Sequence, residues 1–216
     1  DVEKFIVENA EKWDDQFFDG FLTNFTMTVS MKDDKSDVKN TMKVDKNGVF
    51  ISYGYGGSSD PLADTAYLIK EGEVFKSYEY DSSKQTYVKR AKDYDKSDYD
   101  SAVAEGSLYV SFKSFYDKFT YDETEKAYKC AESLKCELDE SIYRGSYIMS
   151  YNNVVKFEEG KLVSMTADYD FYSHYDGEYV NQNFRDGVRI ATTSFDIVDI
   201  NRTVVTAPAN FILEAE

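Results

Sequence analysis

The sequence predicts an α+β fold: a large curved antiparallel β-sheet, a half-barrel meander, with an N-terminal helix and an interior helix covering one face. Three observations carry this expectation. Apolar and polar residues alternate at period two over long stretches from Phe21 onward. Tight-turn dipeptides, Asn47-Gly48, Glu71-Gly72 and Glu159-Gly160, separate consecutive alternating runs. Two other stretches place their apolar residues at helical spacing instead.

Residues 1–20 read as an amphipathic helix, with Val2, Phe5, Ile6, Ala10, Trp13 and Phe17 on one side and Gly20 as a stop. A first strand meander follows over 21–92. Phe21, Phe25, Met27, Val29 and Met31 share one face of its first strand, and Leu22, Asn24, Thr26, Thr28 and Ser30 the other. The next strand turns Val38, Met42 and Val44 inward. Val49 to Tyr55, Tyr67-Leu68-Ile69, Val74-Phe75 and Gln85 to Lys92 continue the series. The segment 97–119 reads as the interior helix, because Leu108, Phe112, Phe115 and Phe119 recur at spacings of four, three and four. So large an aromatic stripe has to lie on an apolar surface, here the inward face of the sheet. A second set of strands is expected over 120–208, from Val154-Val155-Lys156-Phe157 through Val163, Met165, Ala167, Tyr169 and Phe171 to material between Val188 and Val205. Strands joined by tight turns make an antiparallel meander rather than βαβ units. With only two prolines and no flexible linker, 1–216 is expected to be a single domain.

The chain carries 41 acidic and 25 basic residues, a net charge of −16. Such a field repels nucleic acid and anionic lipid headgroups, so neither is an expected partner. No run of 18 apolar residues suits a membrane-spanning helix. The only cysteines, Cys130 and Cys136, match neither a CxxC redox pair nor a metal-ligand spacing. They read as a short-loop disulfide, with two buried thiols as the alternative. A disulfide fits an oxidising, extracytoplasmic compartment. An exported protein would carry its leader, and any lipidated cysteine, upstream of Asp1.

No catalytic site is legible, and neither an enzyme, a metal nor a cofactor is expected. His174, the one histidine, sits in a polar, turn-like stretch and reads as an exposed loop residue rather than half of a nucleophile relay. Asp93 to Asp100 begins like a calcium loop but has Asp98 where glycine is needed and Ala104 where glutamate is needed. It reads as an acidic loop leading into the helix, with Ser97 able to cap it. Tyr53 to Ser59 is glycine-rich but lacks a phosphate-loop lysine. The 19 Tyr and 15 Phe suit strand packing; exposed tyrosines would also suit sugar stacking, and buried Phe and Met an adaptable apolar cavity. The residues expected to line such a cavity are Met27, Val29, Met42, Leu108, Phe112, Phe115, Phe119 and Met165.

Three segments resemble a known superfamily. Val155 to Met165 is similar to the late hairpin of bacterial lipoprotein-carrier-like (LolA/LppX-like) proteins. Asn40 to Val44 with Gly48 to Ile51 is similar to their early meander, and Thr203 to Pro208 to the closing strand of the related mycobacterial glycolipid carriers. The resemblance implies a half-open sheet closed by helices, with an apolar cavity for acyl chains, in an exported lipoprotein. The carriers' early Arg-Pro segment has no counterpart around Gly48 to Gly57. The expected function is therefore that of a non-enzymatic, monomeric cell-envelope protein binding a lipid or other apolar molecule. The alternative is an extracellular module that uses surface tyrosines on carbohydrate or protein.

Overall fold

The computed structural model describes residues 24–54, 60–106, 118–137, 144–158 and 161–215. Within them lie β1 (Phe25–Asp33), β2 (Asp37–Asp45), β3 (Gly48–Tyr53), β4 (Thr65–Glu71), β5 (Val74–Asp81), β6 (Thr86–Tyr94) and helix α1 (Lys96–Gly106). Then come β7 (Phe119–Asp122), β8 (Ala127–Cys130), β9 (Leu134–Glu137), β10 (Tyr147–Glu158), β11 (Lys161–Tyr175) and β12 (Glu178–Asn181). The last are β13 (Phe184–Arg185), β14 (Val188–Arg189), β15 (Ala191–Val198) and β16 (Phe211–Leu213). The expected helix over 1–20 lies outside the described residues.

One open sheet contains all of these strands except the β13–β14 ribbon, in the order β16-β6-β5-β4-β3-β2-β1-β15-β11-β10-β8-β7, with β12 on β11 and β9 on β10. Strands β1 to β6 form an antiparallel meander, as expected. The second set joins it where β15 pairs with β1, Met27 facing Ile197 and Val29 facing Phe195.

Alternation sets the inner face. Phe25 and Met27 on β1, Met42 and Val44 on β2, Val49 on β3, and Val163, Met165, Ala167 and Tyr169 on β11 are all buried. The apolar face of β1 fades toward its end, where Val29 is half-buried and Met31 is 40% exposed. Helix α1 covers part of this face. Tyr99 stacks on Phe75 with ring centroids 4.8 Å apart, and Val103, one turn on, joins the same cluster.

Two expectations about this region are corrected. The helix is capped not by Ser97 but by Asp95 and Asp98, each carboxylate accepting the other residue's backbone N–H at 3.0 and 2.8 Å. Phe119 is not on a helix: it opens β7, paired with Cys130 on β8. Phe119-Thr120-Tyr121-Asp122 alternates at period two and runs into a turn, so its spacing from Phe115 fits either structure and pairing decides. Leu108, Phe112 and Phe115 lie outside the described residues.

The hairpin signal at Asn47-Gly48 marks a real turn, one residue displaced. Asp45 faces Gly48 in the register, so Lys46 and Asn47 make the turn and Gly48 begins β3. Glycine is required there because a Cβ would lie 2.3 Å from the Leu68 carbonyl oxygen on β4. Gly72, by contrast, sits at φ +64 in the β4–β5 turn, where its conformational freedom is what matters.

The C-terminal segment departs most from expectation. Residues 203–208 are not a closing strand; they carry no regular secondary structure and pair with no ladder. Val205 is buried with Ile69, Tyr78 and Tyr87 in a second apolar cluster, against which Phe50, Tyr67 and Tyr80 pack. Residues on β3, β4 and β5 alternate between the two clusters, so this one lies on the outer face. Beyond it, β16 pairs parallel to β6. Glu214 accepts from the Ala91 N–H at 2.9 Å and pairs with Arg90, closing the sheet edge.

The expected disulfide is not formed. Cys130 pairs with Asn153 and Cys136 with Ile148, both on β10. Those partners are five residues apart, roughly 16 Å at the rise of a strand. A disulfide needs Cα atoms within about 7 Å. The unfolded, unreduced chain should accordingly take up two alkyl groups from iodoacetamide, as read by mass; uptake of none would reveal a bridge.

Aspartates organise the turns. Asp33 accepts from the N–H of Lys35 and Ser36, Asp60 from Leu62, Asp81 from Ser83 and Lys84, and Asp122 from Thr124 and Glu125. At Asp81 the Ser83 hydroxyl and the Lys84 ammonium, with the two backbone donors, hold the carboxyl down to about 2. A carboxyl lowered in the native state contributes stability that is present above its unfolded value and lost as pH falls through the native one. Thermal unfolding of the native protein and Asp81→Asn should therefore show a native advantage above about pH 4 that disappears between about pH 4 and 2. A difference unchanged through that window would contradict this assignment.

Candidate functional site

The inner face supplies the candidate site. In consecutive register, Ile51, Met42, Met27, Ile197, Met165, Val155 and Tyr128 form one uninterrupted row across β3, β2, β1, β15, β11, β10 and β8. Five of the eight residues expected to line a cavity meet here. Met27, Met42, Phe119 and Met165 belong to the main apolar cluster, and Val29 packs against it. The other three, Leu108, Phe112 and Phe115, fall outside the described residues. The cavity expected between the sheet and a 108–119 helix falls outside them as well.

Among the described residues, one buried side chain on this surface has polar atoms without a partner. Asn153 is 1% exposed, and neither its Oδ1 nor its Nδ2 has a hydrogen-bond partner. Other buried polar groups nearby are satisfied. The Ser150 hydroxyl reaches the Leu134 carbonyl at 3.5 Å, and the Asn183 amide donates to the Thr193 hydroxyl at 2.9 Å, which in turn donates to the Tyr169 carbonyl. Asn153 did not emerge from the sequence. The available signal was the Asn152-Asn153 pair, which breaks the alternation between Ser150 and Val155.

A second feature is a cleft of about 680 Å³ at the β2–β3 turn, bounded by the end of β4, the start of α1 and residues 203–204. Lys46, Lys70 and Lys96 line it with Phe75 and Tyr99, a cationic lining in a chain of net charge −16. Its one carboxylate, Asp45, is 4% exposed and accepts from the N–H of Asn47 at 2.7 Å, Gly48 at 3.0 Å and Val205 at 3.0 Å. The Tyr99 hydroxyl donates to the Asp45 carbonyl at 2.8 Å. Burial, then the negative charges of Asp45 and Asp100, push the Tyr99 phenol up to about 12, so it remains a donor at neutral pH.

The outer face of β10 and β11 carries surface aromatics. Tyr147 and Tyr172 stack at 4.7 Å, and Tyr179 meets Tyr147 edge-on at 5.0 Å. His174 is exposed as expected, but it lies on β11, opposite Tyr179 on β12, rather than in a loop. It does not line the cleft. Among the described residues no group of three or more His, Cys, Asp or Glu is arranged to hold a metal ion. The carboxylates of Asp93 to Asp100 have other roles: Asp93 pairs with Lys76, Asp100 pairs with Lys96, and Asp95 and Asp98 cap α1.

Replacing Asp45 strands three backbone donors, those of Gly48 and Val205 buried and that of Asn47 partly so. Asp45→Ala is expected to lower stability by about 3 kcal/mol or more in urea unfolding, whereas Lys46→Ala at the neighbouring turn position should change it by less than about 0.5 kcal/mol. Equal effects would remove the role assigned to the carboxylate.

No protein-family model matches the chain, and no curated protein is significantly similar to it in sequence.

Proposed function

We propose that the protein is a non-enzymatic, monomeric binding protein of the cell envelope that holds a lipid or other apolar molecule against the inner face of its sheet. The observation that carries this reading is the uninterrupted apolar row through Met42, Met27 and Met165. Methionines are unbranched and polarisable, so they re-pack around ligands of varied shape at little cost. Among the described residues the strand order of this sheet is open rather than closed into a barrel, which suits a site closed by helices. The resemblance to lipoprotein carriers favours the same ligand class. With the cysteines unbridged, the extracytoplasmic location rests on that resemblance alone. A second reading, a module recognising carbohydrate or protein, is favoured by the stacked tyrosines Tyr147, Tyr172 and Tyr179.

Native mass spectrometry of the purified protein should find a co-purifying apolar adduct. N-phenylnaphthylamine should brighten on addition to delipidated protein, and a Met27→Glu/Met165→Glu variant should lose that response. Bare protein with no dye uptake, combined with binding on a glycan array, would reject the first reading in favour of the second.

A further inference from the structure

We infer that Asn153 is the polar anchor of the apolar ligand, and that this ligand ends in a neutral group with both a hydrogen-bond donor and an acceptor. A primary amide, an alcohol or a protonated carboxyl has that chemistry. The inference rests on the function proposed above and adds to it the head group that the site would select.

Backbone geometry places the side chain. Tyr151 pairs with Asp168 and Val154 with Thr166, so Asn152 and Asn153 together oppose the single residue Ala167 in a bulge. Asn152 takes a left-handed conformation, φ 53, and its exposed amide donates to the Asp168 carboxylate at 2.7 Å. That bond pins the bulge from the outer side. Inward, Asn153 alternates with Val155 and Phe157 and faces Cys130, all in or against the main apolar cluster. The bulge thus aims a carboxamide into an apolar surface, where it is fully buried and unpartnered.

A stranded buried amide costs free energy that native interiors normally avoid, and bulges that re-aim side chains recur beside functional sites. The chemistry of the group selects its partner. Oδ1 needs a donor and Nδ2 an acceptor, and a primary amide or carboxylic acid supplies both in a two-bond ring. A pure hydrocarbon leaves both atoms stranded. An ionised carboxylate offers no donor to Oδ1, and it would bring charge among Cys130, Val155 and Ala167, which carry none to match it.

The decisive experiment compares dodecanamide with methyl dodecanoate, which has a similar chain but only acceptors, as displacers of N-phenylnaphthylamine. For the native protein the amide should act at about tenfold lower concentration. In Asn153→Leu, which keeps the branched shape without polar atoms, the two should act at similar concentrations. Equal displacement from the native protein, or a preference that survives in Asn153→Leu, overturns the anchor while leaving the apolar-ligand reading in place. Failure of the native protein to take up the dye, with neither molecule bound, rejects that reading and the anchor with it. The native amide-to-ester ratio decides the matter even where the variant does not fold.

Discussion

Much of the architecture converges on the buried carboxylate of Asp45. It closes the β2–β3 turn through Asn47 and Gly48 and fixes the returning C-terminal segment through the Val205 N–H; its own carbonyl receives the hydroxyl of Tyr99 from α1. A hairpin, a helix and a segment 160 residues away are thereby held at one point. A buried charge is tolerable only when such donors surround it, because ion–amide bonds replace the lost hydration. Elsewhere the same chemistry recurs at the surface, where Asp33, Asp60, Asp81 and Asp122 each fold a turn onto the carboxylate. Part of the chain's acidity is thus turn-forming rather than a solvated coat.

Around this point the sheet presents two unlike faces. The inner face is continuous because every pairing from β3 to β8 keeps its apolar residues in phase, and the fully buried Phe25 and Phe195 sit near its centre. Each such side chain contributes about 2–3 kcal/mol by burial. On the outer face of β3 to β6 Val205 joins the apolar cluster and Phe211 meets Tyr78 edge-on; there Tyr67 meets Phe50 and Tyr87 at 4.8 and 5.4 Å. Its tyrosines retain polar tips, and the Tyr87 hydroxyl meets that of Thr65 at 2.8 Å.

This division bears on function. Packing in the outer cluster is completed by the chain's own C-terminal segment. The inner face instead combines adaptable methionines with one unsatisfied amide, Asn153. A surface designed only for internal packing would place an apolar residue there, since a matched shape without polar atoms removes the desolvation penalty. The bulge that creates Asn153's orientation is itself anchored by Asn152 to Asp168, so the arrangement is braced by a specific contact.

How much of this was legible in advance depends on range. Alternation in β1, β2 and β11, the turns after Asp45 and Glu71, and the inward positions of Met27, Met42 and Met165 follow from local rules of side-chain direction and turn chemistry. The α+β class follows from the same rules. Tertiary structure alone decided the pairing of β1 with β15 and of β16 with β6, because partners so distant in sequence are chosen by the packing of whole faces. It also moved Phe119 from a helix to a strand and set Cys130 on β8 and Cys136 on β9 against separate stretches of β10. Asn153 belongs to the same group. A residue's lack of a partner is a property of everything packed around it, whereas the composition and period that make its strand are written in the chain itself.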